Sequence, residues 1–158
     1  MTMEKARQLC TFVIDELLFG VEVVNVQEVL RFQSMTKIPL ASTVIRGLIN
    51  LRGQIVTAID MRARLGLAPL GDAHRPLHVV MRPAAGVVSL LVDEIGDVLS
   101  LDEHSFERAP ETLSGVFREV VLGVYKLEGE LLLLLDVERI IALGELVEQT
   151  HEPPHAAA

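Results

Sequence analysis

Half of the 158 residues are hydrophobic and 23% are charged, which excludes disorder over most of the chain and supplies one core, or two small ones sharing an interior. A net charge of −8 argues against general affinity for a phosphate backbone, and 4% aromatic residues with no Trp leave few platforms for stacking single-stranded bases. The apolar run Leu131 to Leu135 is far shorter than the roughly 20 residues of a membrane helix. The start, MTMEKARQL, has no apolar export core, and the one cysteine, Cys10, cannot form an internal disulfide, so a cytoplasmic protein is expected.

From the N-terminus, residues 1 to 8 read as a lead-in and LCTFVI, from Leu9, as a strand. Asp15-Glu16 supply a turn and LLFGVEVV a second strand, making a hairpin. Gly20 and the valines after it disfavour a helix, so a single turn near Val24 to Val26 and a strand from Gln27 to Phe32 are expected. Arg31 to Arg46 is a connection interrupted by Lys37-Ile38-Pro39. Gly47 to Asp60 reads as two strands around a tight turn at Arg52-Gly53, where glycine takes positive φ at little steric cost. Asp60 is placed to cap the short helical segment MRARLGL, which Gly66 ends. Residues 68 to 76, APLGDAHRP, form a linker.

Beyond the linker the pattern repeats. Gly47, Leu51, Gly53, Asp60 and Leu67 return 76 positions later as Gly123, Leu127, Gly129, Asp136 and Leu143. An earlier block repeats at an offset of 69: Val23, Val26, Val29 and Leu30 become Val92, Ile95, Val98 and Leu99, and Glu28 becomes Asp97. The offset grows because the connection Ser100 to Leu122 is seven residues longer than its counterpart, and it is expected to be a long exposed loop. Each repeat offers about five short strands and a brief helix, the composition of a small barrel. The expected fold is all-β, two similar five-stranded barrels from an internal duplication, with part of the core between them. The domain spans 9 to 146, its repeats run roughly from 9 to 67 and from 77 to 143, and 147 to 158 is expected to be a disordered tail.

One position differs in kind between the copies. Arg52 in the first is Glu128 in the second, which marks it as a functional candidate. Residues 31 to 64 carry Arg31, Lys37, Arg46, Arg52, Arg62 and Arg64 against Asp60 alone, a local charge of +5 that leaves −13 for the rest. That stretch is either a solvated basic face or a docking surface for an acidic or helical protein partner.

Catalytic constellations are poorly supported. The tail HEPPH, His151 to His155, matches a zinc-protease motif, but two prolines remove the helix that would align its imidazoles. A metal-dependent hydrolase built on it is a distant alternative. Asp93, Glu94 and Asp97 read as a solvated acidic strand end, and Cys10 as a small core residue. No P-loop, GxSxG or GxGxxG is present. No enzyme activity, metal or cofactor is expected.

The segments FGVEVVNVQEVLR, IRGLINLRGQIVTAIDMRARLGL and LLVDEIGDVLSL resemble the CheW family of bacterial chemotaxis adaptors, over nearly the whole chain. The resemblance implies two SH3-like barrels and an adaptor without chemistry, bridging the cytoplasmic tip of chemoreceptors to the regulatory domain of a CheA-type histidine kinase. A CheW-like scaffold with another output, such as surface motility or gene regulation, would look the same. The family's acid in VQE falls on Glu28 and its NLRG arginine on Arg52; by resemblance they form a salt bridge near a receptor-binding groove, with Val26 and Val98 on its wall or in the core. The resemblance gives the kinase Gly47, Leu48 and Val56 on the first barrel, and Phe106, Pro110 and Leu113 in the long second-half loop. Glu107, Thr112 and Ser89 depart from the family pattern.

Overall fold

Each expected hairpin forms, and the turn chemistry explains why. The computed structural model describes residues 6 to 141 except 72, 85 and 114. β1 (Ala6–Ile14) and β2 (Leu17–Glu22) join through Asp15 and Glu16, both at positive φ (52° and 67°), the backbone of a two-residue hairpin turn. A 3-10 turn, Val23–Asn25, leads into β3 (Val26–Leu30). This strand starts one residue before the expected bound and stops two short of Phe32, with Glu28 at its middle. An irregular segment then touches β4 (Ile45–Leu51) at Thr36, which exchanges both backbone hydrogen bonds with Leu48. β5 (Gln54–Asp60) returns through Arg52 and Gly53 at φ 51° and 88°. The Asp60 carboxylate accepts from the Ala63 amide and caps α1 (Met61–Arg64).

The second half runs β6 (Leu77–Met81), β7 (Val88–Val92), β8 (Glu94–Asp102), a 3-10 turn at Glu103–Ser105, β9 (Phe106–Arg108), α2 (Val116–Val120), β10 (Val121–Leu127) and β11 (Glu130–Leu135), then a helical turn at 137 to 141. The long connection is therefore not a bare loop. In the first half the single bridge Thr36 to Leu48 crosses β4; 76 residues on from Leu48, Val124 pairs with Glu107, and the pairing extends to three rungs. The extra residues complete β9 and add α2.

Close backbone approach accounts for one of the two shared glycine pairs, Gly47 and Gly123. Both β4 and β10 change register just before the glycine, between Ile45 and Gly47 and between Val121 and Gly123. A Cβ on Gly47 would lie 2.7 Å from the Thr36 carbonyl oxygen, and one on Gly123 would collide with the Phe106 ring and the Glu107 carbonyl.

The sequence repeats and the sheets do not coincide. One sheet has the order β3-β6-β7-β5-β4 and the other β8-β1-β2-β11-β10-β9. Each takes its leading hairpin from the other repeat: β7 lies parallel to β5, and β2 lies parallel to β11. The two repeats are interlocked through exchanged hairpins.

Three apolar clusters follow from strand alternation. Ile49, Leu51, Val56 and Val80 fill the first barrel, and Leu9, Tyr125, Leu132 and Leu134 fill the second. The largest cluster lies between the sheets, with Phe12, Phe19, Ile59, Met81, Leu90, Val124, Leu133 and Ile140 among its members. The run at Leu131 to Leu135 is explained by this arrangement, because Leu132 and Leu134 point into the barrel while Leu133 and Leu135 point into the shared core. Cys10 belongs to the shared core, as a small apolar residue would.

Candidate functional site

Arg52 stands at the tip of the β4–β5 turn with its side chain 68% exposed, whereas Glu28 on β3 is 23% exposed. The Asn50 carboxamide oxygen accepts from the Gly53 amide at 2.8 Å and holds the turn. Arg52 Nη1 donates to Glu28 Oε1 at 3.2 Å and Nη2 donates to Oε2, a bidentate pair that suits the planar guanidinium. Gln27 Nε2 also donates to Glu28, at 3.3 Å. The hydrogen bonds from Arg52 hold the Glu28 carboxyl below its ordinary range, and Glu28 in turn raises Arg52. β3 and β4 are the two edges of their sheet, so the pair spans the seam where that sheet curls on itself.

At the equivalent positions of the second half stand Asp97 and Glu128, two acids that cannot bridge. There β9 lies on β10 through three backbone rungs, where the first half has the one Thr36–Leu48 bridge. The charged clasp is thus peculiar to the first barrel.

The other sequence-derived candidates are spread over the molecule. Val26 is half-buried against the shared core, and its repeat partner Ile95 packs there too. Val98 lies on the other sheet opposite Cys10 and is 61% exposed. Leu48 is half-buried, but Gly47 is buried and Val56 is wholly enclosed in the first barrel, so Val56 supports that surface from beneath and offers it no side chain. Phe106 is half-buried, its ring tilted against Tyr125 at 5.4 Å between centroids, with the Arg7 guanidinium 5.3 Å above it. Leu113 packs on the shared core, and its amide donates to the Pro110 carbonyl at 3.0 Å. Glu107 is exposed and pairs with Lys126 at 3.3 Å. His151 and His155 of the HEPPH segment, the tail and the end of the domain past 141 lie outside the described residues.

Two groupings escaped sequence reasoning. Asp93 is not a solvated strand end: its carboxylate is 14% exposed and accepts from Arg62 Nε and Nη2, the latter at 2.8 Å, and from the Asp15 amide at 2.8 Å. Arg62 also donates to the Ala68 carbonyl at 2.7 Å, and Asp15 lies 3.4 Å from Nη2. This cluster ties α1, the first hairpin turn and the β7–β8 junction together. The basic-face reading weakens with it, since Arg62 and Arg64 are buried and Arg46 is engaged by Asp60 at 3.4 Å. The second grouping is His78 and Ser89, both fully buried and 2.8 Å apart. Residues 31 and 11 positions apart carry no local signal of either contact.

The fold, two barrels sharing one core with a charged clasp on the first, is of the SH3-like double-barrel class. The CheW-like domain family model matches residues 8–145, and the chain belongs to that family. It is 30% identical over 139 residues to the probable chemotaxis protein CheW of Rhizobium etli, covering 88% of this chain and 90% of that one. It is 26% identical over 143 residues to the chemotaxis protein CheW of Treponema pallidum, covering 88% and 84%. The crystal structure of scaffolding protein TtCheW from Thermoanaerobacter tengcongensis matches with a TM-score of 0.76 at 28% identity, over 84% of this chain and 90% of that one. The chain is accordingly a chemotaxis-type adaptor and not an enzyme. No helix among the described residues is long and apolar enough to cross a membrane.

Proposed function

We propose that this adaptor works in the cytoplasm, coupling the tip of a chemoreceptor to the regulatory domain of a CheA-type histidine kinase. The observation that carries the reading is the Arg52–Glu28 clasp, bidentate, exposed on its arginine side and present on one barrel only. A helical receptor tip would lay its apolar stripe beside Val26 and Val98 and meet the polar clasp. The kinase would engage the Leu48 face of β4 and the stretch from Phe106 through Pro110 to Leu113.

Arg52→Ala is expected to abolish capture of a receptor-tip fragment while leaving the thermal midpoint unchanged, since Arg52 is largely exposed. Arg52→Lys should restore capture only in part, because an ammonium cannot make the paired contact. Retained binding by Arg52→Ala, measured by pull-down of purified proteins, overturns the assignment.

The kinase surface separates two neighbouring residues in the same way. Leu48→Asp is expected to weaken binding of the kinase domain in titration calorimetry with the fold intact. Val56→Ala should cost about 2 kcal/mol of stability and bind normally per folded molecule.

A further inference from the structure

His78 on β6 is fully buried, facing Leu30 of β3 and Leu91 of β7 in register. Both ring nitrogens are engaged. Nε2 accepts the Gln33 amide at 3.1 Å, so this nitrogen carries no proton; Nδ1 therefore holds it and donates to Ser89 Oγ at 2.8 Å. The segment after β3 contributes the Phe32 ring, 6.4 Å from the imidazole, with the Arg75 guanidinium 5.1 Å from the far ring's centroid. Along β3 the carboxylate nearest in sequence, Glu28, is already held by Arg52. Among the described residues no acidic side chain bonds to the ring to reward a positive charge. Burial accordingly holds the imidazole below its ordinary value.

We propose that His78 is a proton-operated latch on residues 31 to 36: protonating Nε2 sets an imidazolium N–H against the Gln33 N–H and expels the segment. That segment carries Met35, which packs in the first barrel, and Thr36, whose backbone pairs with Leu48 and covers Gly47. Opening the latch uncovers β4. Its effect on signalling rests on the kinase reading of Leu48, whereas the latch itself does not.

The test is amide hydrogen exchange on the full chain, as protection factors corrected for intrinsic rates, between about pH 8 and about pH 5, with imidazole nitrogen shifts recorded in parallel. Protection at Gln33, Thr36 and Leu48 is expected to fall at least about fivefold as His78 charges, while Leu133 in the shared core keeps its own. His78→Gln places an acceptor that does not titrate and should hold protection level. A proton on Nε2 at the alkaline end, an imidazole still neutral at about pH 5, a charged His78 with the three amides still protected, or the same loss in His78→Gln each overturns the latch. Should the variant not fold, the wild-type nitrogen shifts and protection profile decide alone. Kinase-domain binding absent at every pH defeats the kinase reading and leaves the exchange result standing.

Discussion

Asp93→Ala is expected to destabilise the protein by about 3 to 5 kcal/mol at neutral pH, read as a lowered urea midpoint. Arg62 is 91% buried and would be left with the Ala68 carbonyl and the 3.4 Å contact to Asp15, itself half exposed. The cost lies in stranding a cation, so Arg62→Leu combined with Asp93→Leu should recover much of the loss, and Asp15→Ala should do little. Acid has the same target. Burial pushes the Asp93 carboxyl up, but hydrogen bonds from Arg62 and the Asp15 amide, with the Arg62 charge, more than offset it and leave it below its ordinary value. A depressed folded value means the stabilisation is present above the usual carboxylate range and is lost as pH falls through the folded value. Stability should thus decline below about pH 4, and Asp93→Asn should flatten that decline.

Gly123→Ala comes next, at about 2 to 3 kcal/mol, with loss of near-ultraviolet signal from Tyr125 as β9 lifts away. Two neighbours stand where the new methyl would go, and they differ in give. The Phe106 ring can turn aside, but the Glu107 carbonyl is fixed by pairing of β9 on β10. Adding Phe106→Ala should therefore fail to rescue Gly123→Ala. Gly47→Ala is expected to cost less, about 1 to 2 kcal/mol, because Thr36 meets β4 through one isolated bridge that can shift. Equal costs at the two glycines would contradict this account.

The same residues explain how much was legible beforehand. Gly53 and Gly129 sit at φ 88° and 82° and Asp60 and Asp136 cap short helices, so local backbone demands printed the repeat into the sequence. The turn at Asp15-Glu16 and the apolar alternation of β11 were readable for similar reasons. Pairing partners were not. A strand's period shows that it has two faces and says nothing of which hairpin lies beside it, so the exchange between repeats stayed hidden. The over-extension of β3 to Phe32 has a tertiary cause, since the Gln33 amide leaves the ladder for His78. The clasp was anticipated by resemblance and by the charge of Arg52, whereas Arg62 and Asp93 are joined only by the folded chain.

The exchanged hairpins have a consequence for how the molecule is made. During synthesis β1 and β2 emerge first, yet their sheet lacks four of its six strands until β8, β9, β10 and β11 have left the ribosome. The first repeat likewise waits for β6 before β3 has any neighbour, and for β7 before the β4–β5 hairpin has a second one. Neither barrel can then nucleate on its own half of the chain, and contacts of high sequence separation must close before any core pays back their entropy. Folding should be slow and single-phased. Fragments cut in the linker near residue 72 should each remain unstructured, becoming native only when mixed.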